Sequence, residues 1–148
     1  MHWLNEFLKF CRPVSRLTGS EWADAKRFIS LGTTAEPGPW RTYRTPYLQE
    51  PMDAATDKQT EKIVLMFASQ VGKSELLLNV LGYYADQEPS PQLMLQPTVE
   101  MAQAFSKERI APMFRDSPGL AGKLIEGKEG RGTEKKSSTT ILMKHYSG

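Results

Sequence analysis

The hydrophobic pattern of the chain changes within the stretch Ile63-Val64-Leu65-Met66-Phe67-Ala68-Ser69-Gln70-Val71-Gly72-Lys73-Ser74-Glu75. Residues 63–67 are apolar without alternation, which predicts a strand buried on both faces of a parallel sheet. Residues 93–95 are predicted to form a second short strand. Between the two strands, the order of elements predicts a helix and hence a βαβ unit of the α/β class. The apolar stripe of that helix, residues 73–85, is predicted to be Leu76, Leu77, Val80, Leu81 and Tyr84.

The polar segment between the first predicted strand and the helix matches a phosphate-binding loop. Residues 67–74 fit the pattern Gly-x-x-x-x-Gly-Lys-Ser/Thr except at the first position, where Phe67 replaces glycine. In this motif backbone amides and a helix N-terminus bind phosphates, while Lys73 would reach the terminal phosphates and Ser74 would hold magnesium. The alternative is the solvated start of a helix. We predict an ATP and Mg²⁺ site, with Lys73 and Ser74 as catalytic residues, formed by Ser69, Gln70, Val71, Gly72, Lys73, Ser74 and Glu75.

Hydrolysis of ATP requires more than this loop. An acid at the end of a second apolar strand must help to hold magnesium, and another group must orient the attacking water. Residues 93–95 are followed by Gln96, and a further predicted strand at residues 139–143 is followed by Lys144, so neither supplies the Walker B acid. We therefore expect the chain to be the first, truncated part of a larger α/β domain and to be inactive alone.

The overall composition excludes several other classes of protein. With 39% hydrophobic and 24% charged residues, the 148-residue chain is typical of one globular domain. No stretch approaches the roughly 20 apolar residues of a transmembrane helix, so we expect a soluble protein with no membrane partner. Cys11 is the single cysteine, which excludes an internal disulfide framework and suits a reducing cytosol. His2 and His145 are isolated in sequence, so no metal cluster is predicted.

The N-terminal part is predicted to contain two helices and an arm. Helical spacing indicates a first helix over residues 2–11. A second helix is predicted over residues 21–31, with Ser20 as its N-cap and Gly32 as its terminator. The prolines within residues 33–51 predict an extended arm without regular backbone pairing. Its predicted anchors are the aromatic side chains of Trp40, Tyr43 and Tyr47.

The segment after the second predicted strand is expected to be helical. A helix follows Thr98, and Pro112 opens a separate turn. The side chains predicted to face inward on this helix are Val99, Ala102 and Phe105, and the turn carries Met113 and Phe114.

Ordered stretches through the arm, the phosphate loop and the second predicted strand carry a family resemblance. They are Pro37-Gly38-Pro39-Trp40, Thr45-Pro46-Tyr47-Leu48-Gln49-Glu50-Pro51-Met52-Asp53-Ala54, Ser69-Gln70-Val71-Gly72-Lys73-Ser74-Glu75 with Asn79 and Gly82, and Gln96-Pro97-Thr98 with Ala102, Phe105-Ser106-Lys107, Arg109-Ile110 and Pro112-Met113. From about residue 20 onward the chain therefore resembles the large terminase subunit of tailed phages, of the lambda-like GpA type. Terminases often keep only the glycine before the lysine, so Phe67 agrees with this resemblance.

The resemblance implies a fold and a set of partners. The fold is a P-loop NTPase of the RecA/ASCE-like kind with a three-layer parallel sheet, in which residues 1–55 form N-terminal helices and the arm, and residues 56–148 begin the ATPase domain. The activity is an ATP-driven motor that packages double-stranded phage DNA into a preformed capsid, with a separate nuclease domain. The implied partners are phage DNA, the small terminase subunit, the portal or procapsid and further motor subunits, all in the host cytoplasm.

A basic loop gives a candidate contact with that DNA. Residues 120–148 carry six Lys or Arg against three Glu, and residues 127–138 have the composition of a flexible loop. Such a charge run is usually a solvated loop, but it is also the electrostatic pattern of a phosphate-binding surface. The hypothesis places near the DNA the side chains of Lys128, Arg131, Lys135 and Lys136.

Two further functions stay open at this point. The chain fits a noncatalytic prophage remnant or a module that binds an assembly partner. A small P-loop kinase is the other alternative, although the second half lacks the lid and the arginines that a kinase would need around its acceptor.

Overall fold

The computed structural model describes residues 16–32 and 36–124. The predicted helix over residues 2–11, the basic loop and the predicted strand over residues 139–143 lie outside the described residues, as do Cys11, His2 and His145. In chain order the described elements are helix α1 (Gly19–Lys26), strands β1 (Phe28–Ile29) and β2 (Gly38–Pro39), two 3-10 helices (Thr42–Arg44 and Pro46–Leu48), helices α2 (Gln49–Thr56), α3 (Lys73–Asp86) and α4 (Val99–Phe105), a π-helical turn (Ser106–Ile110), and helix α5 (Ala111–Asp116).

Helix α1 begins earlier and ends earlier than the sequence pattern predicted. Its N-cap is Thr18 and not Ser20: the Thr18 hydroxyl accepts from the Glu21 amide at 3.3 Å, and the Thr18 amide donates to the Glu21 carboxylate at 2.9 Å. This capping box satisfies two backbone donors at once. The prediction that the helix runs to residue 31 and is terminated by Gly32 was wrong, because Arg27 is extended and leads directly into β1.

Residues 33–51 were predicted to form an extended arm, but the described part of this range, residues 36–51, is mostly helical. Strand β2 pairs antiparallel with β1, with Phe28 opposite Pro39, and the two 3-10 helices follow. The physical reason is that proline fixes a φ suited to the first helical turn, so Pro46 starts a helix rather than preventing one. Of the three predicted aromatic anchors only Trp40 is buried, since Tyr43 is 76% exposed and Tyr47 is also exposed.

Helix α3 confirms the predicted helix after the phosphate loop, but a different face of it is buried. Leu77, predicted in the apolar stripe, is 45% exposed. The reason is that α1 and α2 both pack against α3 and cover a face rotated from the predicted stripe. Asn79 belongs to this buried face, where its amide donates to the Met52 sulfur at 3.3 Å. The buried residues of α3 are Leu76, Leu78, Asn79, Gly82, Tyr83 and Ala85.

The two predicted strands on either side of α3 are not paired in the described part of the chain. Residues 61–68 and 91–96 have no regular secondary structure, and the sheet described in residues 16–32 and 36–124 has two strands, β1 and β2. Met66 is 91% exposed, and Leu93 and Leu95 are exposed as well. Strand formation depends on backbone partners from elsewhere in the chain, and these apolar runs have none among the described residues.

Helix α4, the π-helical turn and α5 form one nearly continuous helical segment. The helix predicted after Thr98 is confirmed as α4, and Thr98 is its N-cap, with its hydroxyl accepting from the Met101 amide at 3.2 Å. Pro112 lies in the first turn of α5, and Met113 and Phe114, which follow it, are buried. Val99 was wrongly predicted to face inward and is exposed, because the first turn of α4 buries no residue.

A buried carboxylate ties the C-terminal end of α3 to two other segments. Asp86 accepts from the indole of Trp22 at 2.8 Å and pairs with the ammonium groups of Lys26 at 2.6 Å and Lys123 at 2.9 Å. The paired lysines offset an acidic group at a helix C-terminus, which the helix dipole alone would disfavour.

In the described ranges, no helix combines the length and apolarity needed to cross a bilayer.

Candidate functional site

The predicted phosphate loop joins the first apolar run to α3 through two residues with left-handed backbone. Gln70 has φ of 59° and Gly72 has φ of 85°. Gly72 is the N-cap of α3 and has no side chain to accept from the first-turn amides. Free amides at a helix N-terminus, preceded by a turn of this kind, are typical of anion-binding backbone. The geometry therefore fits the predicted phosphate-binding role of residues 69–74.

Lys73 is the first residue of α3, and its side chain folds back along the loop. Its Nζ atom donates to the Phe67 carbonyl at 3.2 Å and to the Ala68 carbonyl. These contacts hold the ammonium group beside the loop that was predicted to bind phosphates. A lysine in this position supplies a point charge for phosphate oxygens.

The underside of the loop rests on the segment that precedes α2. A Cβ atom built on Gly72 would lie 3.1 Å from Cδ1 of Leu48, which is fully buried. A larger residue at position 72 would be strained by this close contact and also by the positive φ of Gly72. Tyr47 contacts Phe67 edge-on, with ring centroids 6.4 Å apart. The phenylalanine in place of the first motif glycine thus makes a specific contact with the 3-10 helix.

Glu75, in the first turn of α3, pairs with two arginines. Its Oε2 accepts from Arg27 at 3.0 Å and its Oε1 accepts from Arg109 at 3.3 Å. Arg27 is only 4% exposed, and it also donates to the carbonyl of Phe28. Burial lowers the pKa of the Arg27 guanidinium from its usual value, and the opposite charge of Glu75 acts against that change.

The predicted site residues are brought together as one continuous loop and helix start. Ser69, Gln70 and Ser74 are exposed, while Val71, Gly72 and Lys73 are half-buried. The basic loop with Lys128, Arg131, Lys135 and Lys136 lies outside the described residues. Sequence reasoning missed Arg27 and Arg109, because an isolated arginine gives no local signal that it will meet a carboxylate 48 or 34 residues away.

The chemistry of the donor set fits a magnesium nucleotide. The uncapped helix start and the Lys73 ammonium suit phosphate oxygens, and the exposed Ser74 offers a hydroxyl next to them. The part of the chain that the structure describes contains no group of three or more His, Cys, Asp or Glu side chains arranged to hold a metal ion. Magnesium bound mainly by phosphates and one hydroxyl needs no such group.

Comparison with known proteins gives the family. Residues 34–148 match the family described as phage terminase large subunit gpA, ATPase domain. The chain is 29% identical over 103 residues to the terminase large subunit of Escherichia phage lambda, a match that covers 70% of this chain and 16% of that protein. It is 26% identical over 132 residues to the terminase large subunit of Enterobacteria phage P21, covering 89% of this chain and 20% of that protein. No solved structure is significantly similar to the chain.

The matched part therefore spans about a fifth or less of the length of these curated relatives. The family match covers more than half of the chain and includes the loop, α3 and the helical segment that follows. An ATPase domain of this family implies a P-loop NTPase fold, in agreement with the loop geometry. The chain belongs to the ATPase-domain family of the phage terminase large subunit gpA.

Proposed function

We propose that residues 69–74 bind the phosphates of ATP together with Mg²⁺. The observation that carries this proposal is the left-handed Gly72 acting as the N-cap of α3 directly before Lys73, whose ammonium group lies back against the loop. In this arrangement the amides of Gly72 and Lys73 would bind phosphate oxygens, and the Ser74 hydroxyl would hold the metal ion. Bound magnesium neutralises phosphate charge, and the residues of this chain position the phosphates.

We further propose that the protein acts in phage DNA packaging. The support is the family membership and the printed description of the relatives as terminase large subunits. In this proposal ATP binding and hydrolysis are coupled to movement of double-stranded DNA into a capsid. The small terminase subunit, the portal or procapsid and other copies of the motor are the proposed partners, in the host cytoplasm.

A parallel sheet is the proposed environment of the exposed apolar runs. Residues 63–67 and 93–95 flank α3 in sequence and carry large exposed apolar side chains, which a sheet with both faces covered would bury. We propose that both runs are strands of the three-layer sheet of the ATPase domain, which begins near residue 56. The support is the fold that the family implies and the lack of alternation in residues 63–67.

Nucleotide titration by calorimetry tests the proposed site. Replacement Lys73→Ala removes the charge that lies over the loop, and we expect it to weaken binding of ATP with Mg²⁺ by about tenfold or more. The matched control is Lys62→Ala, an exposed lysine ahead of the first apolar run, which should leave the affinity unchanged. Equal affinity in the parent chain and in Lys73→Ala would refute the assignment.

A further inference from the structure

Glu75 has both carboxylate oxygens engaged by arginines that come from distant parts of the chain. Arg27 follows α1, Arg109 lies in the π-helical turn, and Glu75 lies in the first turn of α3 immediately after Ser74. The Glu75 side chain is 13% exposed and the Arg27 side chain 3% exposed. The start of α3 is therefore held from two sides, by a buried ion pair with Arg27 and by a partly exposed one with Arg109.

We propose that Glu75 is a positioning residue of the nucleotide site, which acts through Arg27 and Arg109 and not by contact with the nucleotide. This inference rests on the proposed function of residues 69–74. The three side chains, here called the arginine–glutamate bridge, hold the backbone amides at the start of α3 in their binding orientation. Such a site loses affinity when its supporting residues allow displacements of a fraction of an ångström, because backbone donors cannot be moved independently of the helix that carries them.

The burial of Arg27 makes Glu75 difficult to replace within this bridge. A guanidinium removed from water requires a paired charge, and taking away its carboxylate leaves an uncompensated buried cation. The helix start must then shift, or Arg27 must move toward solvent. Either displacement originates next to Ser74, so it reaches the proposed phosphate-binding amides first.

The π-helical turn supplies the other half of the bridge. The turn spans Ser106–Ile110 between two α-helical segments, and Arg109 is one of its residues. A π-helical turn adds a residue to the helical register and is frequently retained where a side chain must be directed to a functional position. The turn thus links the helical segment α4–α5 to the nucleotide site through one ion pair.

A double-mutant cycle on nucleotide affinity tests the bridge. Arg109→Gln is the informative variant because the Arg109 side chain is 35% exposed, so its removal leaves no deeply buried gap. We expect Arg109→Gln and Glu75→Gln each to weaken binding of ATP with Mg²⁺ about fivefold or more, which is a typical coupling between linked sites. The double variant should bind no more weakly than Glu75→Gln alone, since that replacement already removes the Glu75–Arg109 ion pair. Arg109→Lys should restore part of the affinity.

The control is Arg115→Gln in α5, an arginine with a 71% exposed side chain that pairs with its neighbour Asp116. It should change the affinity less than twofold. A purely structural role for the bridge would lower the melting temperature of Arg109→Gln while leaving its affinity within twofold of the parent, and that result overturns the inference. Additive effects of the two replacements also overturn it. If Glu75→Gln does not fold, Arg109→Gln against Arg115→Gln still decides the question.

The same titrations separate this inference from the proposed function. Unchanged affinity of Lys73→Ala for ATP would refute the nucleotide site itself. Loss of binding in Lys73→Ala together with normal binding in Arg109→Gln would keep the site and reject only the positioning role of Glu75.

Discussion

A Cβ atom built on Gly82 would lie 2.4 Å from Cη2 of Trp22, so α3 and α1 touch at a point where only a hydrogen atom fits. Trp22 is fully buried, and its indole is also held by a hydrogen bond to Asp86. The ring therefore cannot move aside without breaking that bond. This contact holds the N-terminal helix against the helix that starts at the phosphate loop.

The first prediction concerns Gly82. In an exposed helix Gly→Ala stabilises by about 1 kcal/mol, but here Gly82→Ala should lower the free energy of unfolding by about 1–3 kcal/mol, because the added methyl group overlaps the Trp22 ring. Urea denaturation measures the change. Gln103→Ala on exposed α4 is the control and should stay within about 0.5 kcal/mol of the parent. A more stable Gly82→Ala protein would mean that the two helices are not in this contact.

The second prediction concerns acid stability through Asp86. Burial raises the pKa of its carboxyl, but hydrogen bonds from Lys26, Lys123, Gln87 and Trp22 outweigh burial and hold that pKa well below the usual 3.8. A carboxyl with a depressed folded-state pKa contributes stability that is fully present above its unfolded pKa and is lost as the pH falls toward the folded value.

Replacement Asp86→Asn should therefore lower the free energy of unfolding by about 1–3 kcal/mol at neutral pH. The difference from the parent should shrink steadily below about pH 4, as the parent carboxyl becomes protonated on unfolding. Unfolding measured between pH 2.5 and pH 7 checks this, with the exposed Glu61→Gln as control. A stability difference that does not change with pH would show that these hydrogen bonds do not stabilise the ionised carboxylate of Asp86 in the folded protein.

Local sequence signals predicted the elements whose cause lies within a few residues. The helix after the phosphate loop was predicted over residues 73–85 and is observed as Lys73–Asp86, because its periodicity and the glycine before it are both local. The helix that follows Thr98 was predicted for the same reason. The Thr18-x-x-Glu21 capping pattern is also present in the sequence, although Ser20 and not Thr18 was predicted as the N-cap.

Features that depend on distant residues could not be predicted in this way. Ser20 lies within α1, and its amide donates to Asp53 at 2.8 Å, a partner 33 residues away. The buried face of α3 follows from where α1 and α2 pack, so Leu77 was assigned to the wrong side. The motif alone predicted the proposed phosphate-binding loop. It could not predict that Arg27 contacts Glu75, because only the folded chain brings the two side chains together.

The third prediction is that the 148-residue chain hydrolyses ATP negligibly although it binds the nucleotide. Phosphoryl transfer depends on positioned charges, and the apolar run at residues 93–95 is followed by Gln96 and not by an acid. Phosphate release by the chain should equal that of Lys73→Ala. Steady hydrolysis that disappears in Lys73→Ala would reveal a catalytic acid elsewhere in the chain.

The fourth prediction tests the basic loop as a DNA contact. If its four cationic residues neutralise DNA phosphates, binding should weaken with salt at a log–log slope of about −0.9 per phosphate. Replacing the four by glutamine should flatten the slope by about 3 to 4 units, without a change in sequence preference, because these residues would contact the backbone. A change below about 1 unit would place the loop away from DNA. The four residues are Lys128, Arg131, Lys135 and Lys136.

The most direct test of the nucleotide site is a nuclear magnetic resonance titration of the ¹⁵N-labelled chain with ATP and Mg²⁺. We expect saturable shifts of the amides of Gly72 and Lys73, the proposed phosphate donors, and of Ser74, whose hydroxyl is proposed to hold the metal ion. The amide of Leu120, outside the loop, should stay in place, and AMP should produce smaller changes because it lacks the terminal phosphates. The same titration of Lys73→Ala should show the shifts weakened or lost. Unmoved amides at residues 72–74 under saturating ATP would show that this loop does not bind the nucleotide.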